Sequence, residues 1–129
     1  MPSHHKPSGI APPFSAYSHG VSVEPGARWL HISGQVGITP DGDIPADLEA
    51  QTEQAWRNVL AVLADAGMGP HDLVKVTGYV TRKEAVPLYR EVRDRLLDGA
   101  EPASTLVGVG GLAHPDWVVE IEAVAAKVD

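Results

Sequence analysis

The stretch from Asp47 to Pro70, "DLEAQTEQAWRNVLAVLADAGMGP", constrains the fold more than any other part of this chain. Leu48, Thr52, Ala55, Trp56, Val59, Leu60 and Leu63 recur at intervals of three and four, which places them on one stripe of an α-helix. Glu49, Glu53, Arg57 and Asn58 fall on the opposite side. Asp47 carries the short side-chain oxygen that an N-cap needs, and Gly67 followed by Pro70 stops the helix. The next segment, "DLVKVTGYVT", switches period from 3.6 to 2. Val74, Val76, Gly78 and Val80 alternate with Lys75, Thr77, Tyr79 and Thr81, which predicts a strand. An apolar helix stripe followed at once by a strand has one economical solution, a helix laid on a sheet.

A second helix follows. Thr81 and Glu84 have capping-box spacing and Pro87 fits only a first turn, so the helix starts between Glu84 and Pro87. Its stripe is Val86, Leu88, Tyr89, Val92 and Leu96, and Gly99 ends it. Upstream, "AYSHGVSV", the turn "EPGA" and "RWLHISGQVGI" predict an antiparallel hairpin. In its second strand Leu30, Ile32, Gly34 and Val36 point one way, and Trp29, His31, Ser33 and Gln35 the other. "TPDGDIPAD" is a loop. Two more strands, Ser104–Leu112 and Trp117–Ala126, close the chain. The order is β-β-α-β-α-β-β, an α+β fold with a mixed sheet of four to six strands and both helices on one face. The first fifteen residues, with four prolines, read as a tail or lead-in to one domain over 16–129.

The composition removes several function classes. A length of 129 residues suits one domain burying roughly two thirds of its unfolded surface. The net charge is -7 and the ten Lys and Arg are scattered, so no nucleic-acid partner is expected. There is no cysteine, which excludes disulfides, thiol nucleophiles and Cys-zinc sites. The N-terminus "MPSHHKPSGIAPPFS" has no apolar core of a signal peptide, and no run approaches the roughly 20 apolar residues of a membrane helix. A cytoplasmic protein without membrane attachment is the expectation. His4 and His5 read as spacer, and no metal site is expected.

Two helices cover one sheet face and leave the other to water or a partner. Along 104–112 one side offers Thr105, Val107, Val109 and Gly111, the other Ser104, Leu106, Gly108, Gly110 and Leu112, with no charge on either. Such a glycine-bearing face predicts an interface with another copy of the chain. In the last strand Glu120 and Glu122 share one face. They are either acids shown to solvent on an edge strand, or a carboxylate enclosed at a cleft between subunits and able to serve as acid or base.

With these elements placed, the chain resembles the RidA/YjgF family, also labelled endoribonuclease L-PSP. The resemblance rests on "YSHGV", "ISGQVGITPDGDI", "QTEQAWRNVLAVLADAGMGPHDLVKVTGYVT", "PAST" and "VEIEAVA", and it runs from Tyr17 to Ala125. It implies a chorismate-mutase-like fold assembled as a homotrimer, with a cleft at each subunit interface. It also implies hydrolysis of reactive imines and enamines, with no cofactor and no metal. Carried onto this chain, the resemblance makes Glu120 the water-handling acid and Tyr17 its partner in catalysis. Ser33, Gly34 and Gln35 then line the cleft.

Ser104 stands where the family carries the arginine that grips a substrate carboxylate. A charge-assisted contact of that kind contributes about 1.5–3 kcal/mol, and a serine hydroxyl cannot hold a carboxylate in one orientation. The expected substrate is therefore a small imine, enamine or related nitrogen compound other than the usual 2-imino acids. Thr105 and His19 join Ser104 as candidate substrate-binding residues, with His31 and His114 as further histidines of interest. Ser104 lacks the surroundings of a nucleophile. A trimeric small-ligand binder without catalysis is the alternative, and ribonuclease or translation-inhibitor activity ranks behind both.

Overall fold

The computed structural model describes residues 2–129. Its centre is a four-stranded sheet in the order β3-β6-β4-β5, built from β3 (Arg28–Val36), β4 (Leu73–Val80), β5 (Ala103–Gly108) and β6 (Val119–Lys127). β6 runs antiparallel to both β3 and β4, whereas β4 and β5 are parallel. Helices α1 (Leu48–Asp65) and α2 (Ala85–Leu96) lie on one face. This is the expected α+β, chorismate-mutase-like architecture.

Both helices sit where their sequence places them. The Asp47 carboxylate accepts from the Ala50 N–H at 3.1 Å, and Gly67 beyond the last turn has φ +71°. Trp56, Val59 and Leu63 of α1 and Tyr89 and Val92 of α2 are fully buried against Val76, Val119 and Ile121 of the sheet. The rings of Trp56 and Tyr89 lie 5.1 Å apart. Tyr89 comes so close to the β4 backbone that only Gly78 fits beneath it. The capping box expected from Thr81 and Glu84 does not form: Glu84 is itself the N-cap, in helical geometry and with no side-chain bond.

One buried amide ties the loops to the helix layer. Gln51 Nε2 donates to the Pro45 and Asp116 carbonyls at 3.1 Å each, and its Oε1 accepts from the Val118 N–H at 2.7 Å. The loops before α1 and before β6 are thus held together through one side chain.

Four expectations need correction. The first hairpin is absent: β2 (Gly20–Ser22) pairs antiparallel with β1 (Ser3–His5), and β3 pairs with β6. The Pro25–Gly26 turn exists, but a strand as short as β2 cannot match the ladder that β6 offers β3. Residues 3–5 therefore form a strand within the stretch read as a tail, pinned by His5 Nε2 to Ser22 Oγ at 2.7 Å and His4 Nδ1 to Ser18 Oγ at 2.9 Å.

The second correction concerns β3. A bulge between Ile32 and Gln35 breaks its alternation. Ile32 is buried beneath the helices, yet an added side chain at Gly34 would strike Glu120 on the other face, and one at Gly37 would strike Gln51 of α1. Ser33 and Gly34 both face away from the helices, Val36 follows them, and Gln35 turns inward.

The third is the length of β5, which ends at Gly108. Its parallel neighbour β4 ends at Val80, and the Val109 N–H bonded to the Val80 carbonyl at 2.8 Å closes the ladder. Gly108, Gly110 and Gly111 have open space where a side chain would stand. The last strand is likewise shifted, from the expected Trp117–Ala126 to Val119–Lys127.

The fourth is the open face of the sheet, which carries charge. Tyr79 donates to Glu122 at 2.6 Å and Lys75 to Thr105 at 2.6 Å, while Trp29 and Val107 stand exposed around them. No helix of the described residues is long and apolar enough to cross a membrane.

Candidate functional site

The candidate residues fall into two groups on opposite sides of the sheet. Ser104 on β5 pairs in register with the buried Val76 and so faces the helices. Beside it opens a cavity of about 150 Å³ lined by Phe14, Tyr17, Arg90, Arg93, Ser104 and Leu106. Tyr17 arrives there because Ser18 is fastened to the start of β5: the Ser18 N–H donates to the Pro102 carbonyl at 3.2 Å and its hydroxyl to the Glu101 carbonyl at 2.7 Å. The Tyr17 hydroxyl accepts from the Phe14 N–H at 3.2 Å. His19 packs edge-on to Tyr17, with ring centroids 6.4 Å apart, and its buried Nδ1 has no partner. It does not line the cavity.

Arg93 is the residue that sequence reasoning passed over. It lies four residues after Tyr89 on α2 and is buried, its side chain only 4% exposed. Nε donates to Asp94 at 3.0 Å, whereas Nη2 is buried without a partner. The Tyr89 hydroxyl beside it is also buried and unbonded. Burial pushes the Tyr89 phenol well above its ordinary range, and the Arg93 charge and the nearby Ser104 hydroxyl offset part of that rise. Position i+4 from a core tyrosine was the available signal: an arginine at the margin of an apolar stripe is held against the core.

The second group lies on the open face. Glu120, half-buried on β6, extends its carboxylate across Gly34, where any side chain would overlap Oε2. Glu120 makes no side-chain hydrogen bond or ion pair among the described residues. Ser33 is exposed beside it at the bulge, and Gln35 Nε2 turns back to the Ser33 carbonyl at 3.0 Å. Thr105 also faces this side, holding Lys75.

Glu120 and Ser104 are therefore separated by the thickness of the sheet and by the intervening strand β4. Strands stand about 4.8 Å apart, so one small molecule cannot touch both within one chain. Thr105 likewise parts from its neighbour Ser104, since consecutive strand residues face opposite ways. His31 lies exposed on the open side of β3, and His114 stacks on Trp117 at 5.4 Å in the loop before β6. Among the described residues no group of three His, Asp or Glu is placed to hold a metal ion.

Comparison with known proteins bears on the family and the fold. The family model described as Endoribonuclease L-PSP matches residues 9–127. The chain belongs to the RidA/YjgF family. A RutC family protein of Aquifex aeolicus is 37% identical over 118 residues, spanning 89% of this chain and 91% of the relative. The Escherichia coli protein named "Putative reactive intermediate deaminase TdcF" is 30% identical over 94% of this RidA/YjgF-family chain and 91% of its own length. Among solved structures, the Rid family protein YyfB from Yersinia pestis superposes with a TM-score of 0.88 at 34% identity, over 98% of each chain. Escherichia coli TdcF with bound serine gives 0.74 at 31% identity, over 92% of this chain and 91% of that one.

Proposed function

We propose that this RidA/YjgF-family chain hydrolyses a small imine or enamine in a cleft formed between copies of itself, most simply in a homotrimer. The observation that carries the reading is the Glu120–Gly34 arrangement. A bulge and a glycine clear the space over which an unpaired carboxylate lies, on a sheet face that neither helix of the described residues covers. The separation of Glu120 from Tyr17 and Ser104 supports the shared cleft, because only a second copy can bring the open face of one sheet to the β5 edge of another. Deaminase activity in the family, as the name of the TdcF relative states it, supports the reaction class.

The chemistry follows from the groups present. Water adds to the imine carbon while Glu120 takes its proton and passes it to the imine nitrogen, giving a carbinolamine. The carbinolamine then collapses: its hydroxyl proton passes to the amino group through the same carboxylate as the C–N bond breaks, releasing ammonia and leaving the carbonyl product. Tyr17 borders the cleft from the β5 side and orients the substrate.

The test is ammonia release from freshly generated 2-iminobutanoate or an uncharged imine, measured above the spontaneous rate. Wild type should accelerate release, and Glu120→Gln should lose at least about a hundredfold, the lower range of general acid–base catalysis. Unchanged turnover in Glu120→Gln, or a monomer by sedimentation at working concentration, would overturn the proposal.

A further inference from the structure

The arginine absent from position 104 has a spatial substitute. Arg93 comes from α2, on the far side of the same cavity from the strand that carries Ser104. A guanidinium buried with an unpaired N–H is costly unless some anion completes it. Asp94 takes only Nε, and Nη2 is buried beside the cavity with no partner. Arg90 adds a second positive charge to the wall, and no acid lines the cavity. The remaining polar lining, Ser15, Tyr17 and Ser104, brings hydroxyls that can donate to an anion.

We propose that Arg93 is the anion-holding residue of this cavity, and that with Ser104 and Tyr17 it takes the carboxylate of a small organic acid. A volume of about 150 Å³ matches the space of roughly five water molecules, enough for a short-chain oxo or imino acid. The assignment deepens the hydrolase reading and rests on it for the name of the substrate. It reverses the expectation that losing the strand arginine excludes 2-imino acids: the cation is delivered from a helix instead.

Binding is measured separately from turnover, by calorimetric titration of the full chain with 2-oxobutanoate and with its methyl ester. The acid should bind and the ester should bind at least tenfold more weakly. Arg93→Gln should weaken acid binding roughly ten- to a hundredfold and leave the ester unchanged. Should Arg93→Gln fail to fold, Arg93→Lys keeps the charge without the fork and should give an intermediate loss. Ser104→Arg placed on Arg93→Gln should restore binding of the acid. Equal affinity for acid and ester, no acid binding at millimolar concentration, or wild-type binding in both Arg93 variants would overturn the assignment. Dissociation of the assembly in the variants would assign Arg93 to a subunit contact and overturn it equally. Acid binding without any ammonia release would leave Arg93 in place and remove the hydrolase reading alone.

Discussion

Glu120 lays its carboxylate directly over the α-carbon of Gly34. The contact joins a bulged strand to its neighbour across the open face, and it has a cost-free partner in the flexibility of glutamate. In Gly34→Ala the new methyl would meet the far end of a side chain that can swing away. Stability should therefore change by less than about 1 kcal/mol, as for substitutions that repack without strain. Ammonia release should fall at least tenfold, because the displaced carboxylate no longer stands where water is handled. Thermal unfolding and turnover measured on one preparation separate the two; full activity in Gly34→Ala would show that this position of Glu120 is irrelevant.

Gly78 differs from Gly34 in what stands above it. Its neighbour is the Tyr89 ring, which is wholly buried and backed by Trp56. A methyl at Gly78 cannot be cleared by rotating an exposed side chain. Gly78→Ala should destabilise the fold by about 1–3 kcal/mol through overpacking, read as a lower midpoint in urea. A variant as stable as wild type would mean that the ring yields more easily than its burial implies.

Much of the fold was legible because its signals are local. The stripes of α1 and α2, the Asp47 cap and the stops at Gly67 and Gly99 are set by residues within one or two turns of each other. What was illegible depends on partners distant in sequence. The bulge at Ser33–Gly34 exists because β3 pairs with β6, some ninety residues onward, and it reverses the facing of everything after it. The expected hairpin failed for the same reason: β1 was already available to β2. At the site, the family resemblance gathered Tyr17, Ser104, Glu120 and the "SGQ" strand into a single cleft. Their division between two faces follows only from register. Arg93 was hidden because a charged residue on an amphipathic helix reads as solvent-facing, while its long stem allows burial beside the apolar stripe.

Gln51 makes three hydrogen bonds from a buried position, two as donor and one as acceptor. Gln51→Leu keeps much of the volume but leaves the Val118 N–H and two carbonyls without partners. Each buried unsatisfied group costs about 1–3 kcal/mol, so a loss of at least that size is expected in chemical unfolding. Amide exchange at Val118 should accelerate first, since its only side-chain acceptor is gone. A protected Val118 amide in Gln51→Leu would show that this bond does not hold the loop.

The pH dependence at the alkaline end follows from Tyr89. Burial raises its pKa above the unfolded value near 10, with the Arg93 charge and the Ser104 hydroxyl working in the opposite direction. Above about pH 10 the unfolded chain releases this proton while the folded one retains it, so the unfolded state binds fewer protons and stability falls as pH rises. The contribution is fully present below that pH. Tyr89→Phe removes the titration along with a hydroxyl that has no hydrogen-bond partner. At pH 7 the variant should be as stable as wild type or slightly more so, because an unsatisfied buried group is lost and the ring remains. Its alkaline limb should be flatter, apart from what Tyr79, held protonated by its bond to Glu122, still contributes. Unfolding free energies at pH 7 and at several points above pH 10 check both parts, and parallel curves for the two proteins would remove Tyr89 as the source.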